Sequence, residues 1–187
     1  MGKNFIIIGG TKGLGKEIVN LISKPNNNVI CIGRTSTKNV NPNVKFLRND
    51  LEKITFDDYI SIFKLLGKID GICFAQRYRS KANETNKFIN EANIMIEPIA
   101  NCMDALIKYQ SNKKMNKENF TKVIVVGSSY SSRVGYDQDW GYHVSKAAQL
   151  SLVRYFSIRS KGKYSINLLS PATFIKEGTN DYWKNTK

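Results

Sequence analysis

Residues 5–15 read FIIIGGTKGLG, so a short apolar run passes directly into a glycine-rich loop. The isoleucines predict a buried β-strand, and residues 13–23 carry apolar side chains at helical spacing. Gly9, Gly13 and Gly15 therefore fall between a first strand and a first helix. A tight glycine turn followed by a helix N-terminus can cradle the phosphates of a dinucleotide. The alternative is an ordinary glycine-rich turn, but a position after the first strand favours the dinucleotide site.

The rest of the chain alternates strand-like and helix-like segments. Further apolar runs lie at residues 29–32, 44–47, 71–75, 123–126 and 165–169, and helical patterns at residues 56–66, 86–109 and 142–159. Pro98 should kink or break the second of these helices. The pattern predicts an α/β fold, a Rossmann-like doubly wound parallel sheet in three α/β/α layers. We expect one domain over residues 1–187, strand order 3-2-1-4-5-6 and no seventh strand, with the sixth strand left at an edge of the sheet.

Composition narrows the class of protein. A hydrophobic content of 41% over 187 residues suits a folded domain, and no apolar run is long enough to span a bilayer. Three widely spaced cysteines without metal-ligand spacing, and the lack of a signal-peptide pattern, predict a cytoplasmic protein with no bound metal. The net charge of +14 would suit a nucleic-acid binder. Because the lysines are scattered along the chain, we expect no nucleic acid and no membrane as partner.

The second strand indicates which dinucleotide is bound. An NAD site usually offers a carboxylate to the ribose hydroxyls at this point. Here the strand is followed by Arg34, Thr35 and Ser36, and Lys12 lies in the glycine loop. An arginine can clamp a 2′-phosphate with paired N–H donors. The alternative is that both cations are solvated surface residues, but two cations and no acid favour NADP(H).

A tyrosine and a lysine share one face of the last predicted helix. Tyr142 and Lys146 are four residues apart, and Ser129 follows the fifth strand, where ligands of doubly wound sheets bind. Tyr109 and Lys113 repeat the spacing. They lack a preceding strand, so we regard them as a chance match. His143 is predicted to be structural, because it points away from the face of Tyr142.

The chain resembles the short-chain dehydrogenase/reductase family in its glycine motif, Ser129 and the Tyr142 and Lys146 pair, in order and spacing. The resemblance implies oxidoreductase activity between a ketone or aldehyde and an alcohol. Its catalytic residues would be Ser129, Tyr142, Lys146 and, in the proton relay, Asn93, with Asn90 as the fallback. The resemblance also implies a set of cofactor-binding residues: Gly9, Thr11, Lys12, Gly13, Leu14, Gly15, Arg34, Thr35, Asp50, Leu51, Ala75, Lys146 and Pro171.

The expected chemistry requires these residue types. Hydride transfer to a carbonyl carbon builds negative charge on the oxygen, which needs a proton donor. A free phenol, with a pKa of about 10, needs a neighbouring cation to favour its ionised form, and Lys146 would supply it. Ser129 would donate to the substrate oxygen. An NADP-sensing regulatory protein without turnover is the alternative function.

Some residues depart from the family pattern. Cys73, Phe74 and Gln76 replace residues of the motif after the fourth strand, and Ala172 replaces a glycine after Pro171. Arg77 and Arg79 follow Gln76. They would recruit an anionic substrate or form a solvated basic turn, and the sequence leaves both possibilities open.

The last expectation is a homodimer built on the two long helices. Apolar side chains on both helices would pair across a two-fold axis: Ile94, Ile99, Met103 and Leu106 on one, with Leu150, Val153 and Tyr155 on the other. The alternative is that these residues pack on the protein's own sheet. In the resembled family a tetramer needs a final helix and a seventh strand, which we do not expect here.

Overall fold

The computed structural model describes residues 2–35, 41–79, 84–114, 116 and 120–171. Its six strands are β1 (Asn4–Ile8), β2 (Asn28–Gly33), β3 (Val44–Arg48), β4 (Gly71–Phe74), β5 (Thr121–Val126) and β6 (Tyr164–Leu169). Its helices are α1 (Gly13–Ile22), α2 (Phe56–Leu66), α3 (Lys87–Met95), α4 (Glu97–Gln110) and α5 (Trp140–Arg159), and Ser129–Ser131 form a short 3-10 turn. Each predicted strand is present, within two residues at either end.

All six strands run parallel in the order β3-β2-β1-β4-β5-β6, which confirms the predicted topology. The chain builds outward from β1 in one direction, then returns to place β4 on the other side of β1. Strand order therefore reverses between β1 and β4. In parallel sheets this switch point opens a crevice at the carboxyl ends of the strands.

Alternate side chains of the strands feed two separate cores. Ile6 and Ile8 belong to the larger core, which also takes residues from α2, α4 and α5. Ile7 lies in a smaller cluster with Val19 of α1. Helices thus cover both faces of the sheet, as the three-layer prediction requires. Residues 172–187, where a seventh strand was not expected, lie outside the described residues.

The long helix predicted over residues 86–109 is two helices. A proline has no N–H to donate and favours the first turn of a helix. Pro98 takes that place, so α4 begins at Glu97 and α3 ends at Met95. The predicted break is therefore confirmed, and it leaves the last carbonyls of α3 available to partners outside the helix.

The cysteines Cys31, Cys73 and Cys102 are all free and buried. Burial raises the pKa of Cys31 and of Cys73 to about 11. Within the described ranges, no three side chains are grouped so as to hold a metal ion. None of the described helices combines the length and the apolar character that a membrane span needs.

Candidate active site

The glycine loop fits tightly between β4 and α1. Gly9 has a φ of +81°, and a Cβ there would lie 2.5 Å from the backbone nitrogen of Gln76. A Cβ on Gly15 would lie 2.2 Å from the carbonyl oxygen of Gly9. Neither position can hold a side chain without moving backbone, so these two glycines let the first turn of α1 reach the switch point.

The N-terminus of α1 is open to a ligand. Gly13, the first helical residue, has no atom within 4 Å of its Cβ position. The cap residue Lys12 makes no side-chain capping bond, and the first turn holds no acidic residue. The N–H groups and positive dipole end of α1 are therefore not offset by a carboxylate, which suits an anion.

The loops after β1 and β2 touch each other. A Cβ on Gly33 would lie 2.9 Å from the methyl carbon of Thr11. Arg34 and Thr35, which follow Gly33, are exposed, as is Lys12 in the neighbouring loop. The two predicted cations thus lie on contacting loops. Ser36 lies outside the described residues.

The loops after the other strands line the same edge of the sheet. Asp50 follows β3 and accepts a bond from the N–H of Glu52 at 3.4 Å, while Leu51 is buried in the larger core. Ala75 follows β4, and its N–H donates to the carbonyl of Ile8 at 2.8 Å. Pro171, half-buried, follows β6. Leu14 is half-buried in the first turn of α1.

The first turn of α5 positions Tyr142. Asp139 caps this helix by accepting a bond from the N–H of Tyr142 at 3.1 Å. Lys146 follows one turn later, and its Nζ lies 5.7 Å from the centroid of the Tyr142 ring. The predicted pair therefore faces the same side of the helix, beyond the carboxyl end of β5.

Two bonds hold the Lys146 ammonium in place. Its Nζ donates to the carbonyl of Val126, at the end of β5, at 3.0 Å, and to Oε1 of Gln149 at 2.9 Å. The Gln149 amide in turn donates to the carbonyl of Met95, at the end of α3, at 2.9 Å. The side chain of Lys146 is only 3% exposed. The sequence did not identify Gln149 as a site residue, because a polar residue on a buried helix face is the only mark it carries there.

Opposing charges act on this lysine. Burial first, and then the nearby Arg77 cation, lower the pKa of Lys146 to about 8, against the carboxylate of Glu91. Glu91 itself is 5% exposed. Burial, reinforced by Asp139, raises the pKa of Glu91 to about 7, although Arg77 and Lys146 act in the opposite direction. The site thus contains a buried amine and a buried acid that both titrate near neutral pH.

Arg77 reaches the catalytic candidate from the loop after β4. Its Cζ lies 4.8 Å from the centroid of the Tyr142 ring. Nη2 donates to Oε1 of Gln138 at 2.8 Å, just before α5 begins. Of the two arginines named from the sequence, Arg77 is therefore the one in contact with Tyr142.

The two serines after β5 have different surroundings. The Ser128 hydroxyl accepts a bond from the N–H of Tyr130 at 3.2 Å and so caps the 3-10 turn. Ser129 begins that turn and is half-buried. Since Ser128 is engaged with backbone, Ser129 is the better candidate for contact with a substrate.

Two aromatic residues, Tyr130 and His143, pack beside the ring of Tyr142. The Tyr130 ring meets Tyr142 edge-on, with centroids 6.3 Å apart, and packs on His143 at 4.8 Å. Nε2 of His143 lies 3.0 Å from the carbonyl oxygen of Gly135. These contacts give His143 a packing role.

The asparagine candidates lie on α3, apart from the bonds around Lys146. The Asn90 amide donates to Oε1 of Glu84 at 2.9 Å. Asn93 is half-buried two residues before Met95, the residue whose carbonyl accepts from Gln149. The link from Lys146 to α3 is therefore made by Gln149 and a backbone carbonyl.

The second tyrosine and lysine pair, Tyr109 and Lys113, lies near the amino ends of the strands, whereas the glycine loop lies at their carboxyl ends. The Tyr109 hydroxyl donates to the carbonyl of Gly67 at 2.6 Å, ahead of the start of β4. Lys113 stacks on its ring at 3.5 Å. This pair is remote from the glycine loop, as expected for a chance match.

A cleft of about 440 Å³ borders the start of α5. The first turns of α3 and α5 line it, with Phe88, Ile89, Trp140 and Gly141 among its residues. The rings of Phe88 and Trp140 pack with centroids 5.4 Å apart. An apolar wall therefore lies beside the turn that carries Tyr142.

The fold is shared with known structures. No family model and no curated relative matches the chain. The structure of ElxO with NADP bound matches with a TM-score of 0.80 at 19% identity, covering 100% of this chain and 81% of that one. The RhlG/NADP active-site complex of Pseudomonas aeruginosa gives a TM-score of 0.78 at 16% identity, over 98% of this chain and 77% of that one. A short chain dehydrogenase family protein from Francisella tularensis subsp. tularensis SCHU S4 gives 0.72 at 21% identity, over 92% and 70%. The chain therefore has the short-chain dehydrogenase/reductase fold.

Proposed function

We propose that the protein is an NADP(H)-dependent oxidoreductase that interconverts a ketone or aldehyde and an alcohol. The observation that carries the proposal is the placement of Tyr142 and an anchored Lys146 on one face of α5, at the carboxyl end of β5. Ligands of doubly wound sheets bind at this edge. The glycine loop lies at the same edge, one strand beyond β4.

The residues present fit a dinucleotide phosphate. Gly13 leaves open space at the start of α1, and no carboxylate occupies its first turn. Gly9, Thr11, Lys12, Leu14 and Gly15 would surround the pyrophosphate, and Arg34 with Thr35 would bind the 2′-phosphate. Asp50, Leu51, Ala75 and Pro171 complete the proposed cofactor contacts. The NADP bound in the solved structures of ElxO and RhlG supports the same choice.

In the proposed mechanism NADPH supplies the hydride that reduces the carbonyl carbon. The Tyr142 hydroxyl donates its proton to the carbonyl oxygen, and Ser129 donates a second hydrogen bond that orients this oxygen. The Lys146 ammonium favours the phenolate that remains, and it would hold the ribose of a bound cofactor. Asn93 remains a predicted relay residue, and Gln149 is the side chain that fixes the ammonium.

We also propose a homodimer through α5, in which Tyr155 is the one exposed residue of the set named from the sequence. Each of Ile94, Ile99, Met103 and Leu106 is at most 4% exposed within its own chain, so these four cannot form the contact. Val153 is buried as well. Exposed apolar side chains do remain on α5, at Val144, Tyr155 and Ile158. A cytoplasmic location, the third part of the proposal, fits three free buried thiols.

A carbonyl screen tests the proposed activity. NADPH absorbance is followed with aldehydes, ketones and oxo acids, and cofactor binding is measured by calorimetry on the same protein. We expect NADPH binding and NADPH oxidation with at least one class. If NADPH binds but no class of carbonyl compound is reduced, the result would favour the alternative function, an NADP-sensing regulatory protein. If neither NADPH nor NADP⁺ binds, both the reductase and the NADP-sensing protein are wrong.

A further inference from the structure

The guanidinium of Arg77 lies beside the ring that would donate the proton. Its Cζ is 4.8 Å from the Tyr142 centroid, and one bond to Gln138 keeps it there. An arginine carries five N–H donors in a planar fork. Most of them therefore remain for another acceptor at the site.

Nearby acids do not neutralise this charge by direct pairing. In the described part of the chain the one ion pair joins Lys68 to Asp70, so no described carboxylate lies within ion-pair distance of Arg77. Glu91 is buried with its pKa raised to about 7, so at neutral pH it carries only part of a charge. Asp139 is occupied in capping α5, and Asp137 accepts from the Tyr130 hydroxyl. Among the described residues, the Arg77 guanidinium therefore has no carboxylate within ion-pair distance.

We propose that Arg77 is a specificity-determining residue that binds the carboxylate of an oxo acid while Tyr142 protonates its carbonyl oxygen. The proposal rests on the proposed function. A guanidinium grips a carboxylate with two parallel bonds of about 2.8 Å. Since Arg77 lies against the Tyr142 ring itself, the two groups of the substrate must be close together. We therefore expect a carboxylate one or two carbons from the carbonyl.

The reaction balances without any further reactant. The carbonyl carbon accepts the hydride of NADPH and the oxygen accepts the proton of the Tyr142 hydroxyl, so one C–H and one O–H bond replace the C=O π bond. The oxo acid is reduced to a hydroxy acid, and NADPH is oxidised to NADP⁺. The carboxylate is unchanged, and the phenolate regains a proton from solvent.

The test compares acids with their neutral esters. NADPH oxidation is measured for 2-oxobutanoate, 3-oxobutanoate and their methyl esters, with wild type, Arg77→Gln, Arg77→Lys and Arg79→Gln. The esters keep the carbonyl and lose the charge, so they correct for any effect of Arg77 on Lys146. Arg79, exposed two residues further on, is the matched control.

We expect wild type to prefer an acid over its ester, and Arg77→Gln to lose about ten- to a hundred-fold in kcat/KM on the acid, mainly through KM. The same variant should leave the ester rates within two- to three-fold, Arg77→Lys should retain part of the preference, and Arg79→Gln all of it. Equal use of acid and ester by wild type, or an unchanged preference in Arg77→Gln, would overturn the assignment.

A binding measurement separates this inference from the proposed activity. Oxamate, a carboxylate that cannot be reduced, is titrated by tryptophan fluorescence into the full chain with and without NADP⁺. If no carbonyl compound is reduced but oxamate binds wild type and not Arg77→Gln, the carboxylate site stands and the reductase proposal is wrong. If oxamate binds neither protein, or both equally, the carboxylate site is wrong.

Discussion

The ammonium nitrogen of Lys146 lies 3.0 Å from the carbonyl oxygen of Val126, the last residue of β5. This bond fixes the active face of α5 to the end of the strand that precedes it. Gln149 supplies the second acceptor and passes the connection on to Met95. The position of Lys146 thus depends on a sheet edge, a helix side chain and a helix end.

Replacing Gln149 with leucine should loosen Lys146. The ammonium would lose one of its two acceptors, and the Met95 carbonyl would lose its donor, at a cost of roughly 1–3 kcal/mol in unfolding free energy. We expect kcat to fall by about ten-fold, since a misplaced ammonium no longer supports Tyr142.

Gln110→Leu is the matched control for this change. Gln110 is also a buried glutamine, bonded to Thr121 at 2.8 Å, but at the amino end of β5. The melting temperature should fall by a similar amount in both variants, while kcat should fall only in Gln149→Leu. Equal kcat in the two variants would show that Gln149 does not position Lys146.

The pH dependence should follow Lys146. Because its pKa is lowered to about 8, the ammonium is present below pH 8 and is lost as the pH rises through that value. We expect kcat/KM for reduction to fall over the same range.

The fall of kcat/KM with rising pH forms the alkaline limb of the pH profile, and two variants should shift this limb in opposite directions. Arg77→Gln removes a cation that lowers the pKa of Lys146, so the limb should shift to higher pH. Glu91→Gln removes a carboxylate that raises it, so the limb should shift to lower pH. The measurement is a kcat/KM profile from pH 6 to 10 on an ester, with Arg79→Gln as control. Shifts in the same direction for both variants would refute the charge assignment.

Arg34 should set the preference between the two dinucleotides. A charge-assisted clamp on phosphate is worth roughly 1.5–3 kcal/mol, or about one to two decades in affinity. Arg34→Ala should therefore weaken NADPH binding by that factor and leave NADH binding unchanged, as measured by calorimetry. Lys64→Ala, an exposed cation on α2, is the control. Equal affinity of wild type for NADH and NADPH would contradict the clamp.

The α5 dimer predicts a selective response to a surface charge. Ile158 is 84% exposed on α5 and Leu65 is 62% exposed on α2. Light scattering at micromolar concentration should give a dimer for wild type and for Leu65→Lys, and a monomer for Ile158→Lys. A monomeric or tetrameric wild type would exclude the proposed assembly.

Much of the architecture was predictable because its signals are local. Short segments rich in apolar residues located the six strands, and the glycine spacing located the turn at Gly9. The break at Pro98 was also visible in the sequence, although its consequence was not. Two helices instead of one free the carbonyl of Met95 for Gln149.

The finer parts of the site depend on contacts distant in sequence. Nothing local distinguishes Arg77 from Arg79, since only packing against α5 places one of them over Tyr142. A carboxylate such as Glu91 is normally solvated, so its burial could not be anticipated. Apolar residues on α4 likewise gave no sign of whether they face the sheet or a second copy of the chain.

The central claim is that Tyr142 is the proton donor of an NADPH-dependent reduction. Its most direct test is steady-state turnover of Tyr142→Phe beside Tyr109→Phe, with NADPH affinity measured on both. The first variant keeps the ring against Tyr130 and removes only the hydroxyl. We predict that turnover is abolished in Tyr142→Phe while NADPH affinity stays within a few-fold, and that Tyr109→Phe keeps its activity. Substantial activity in Tyr142→Phe, or an equal loss in Tyr109→Phe, would contradict the claim.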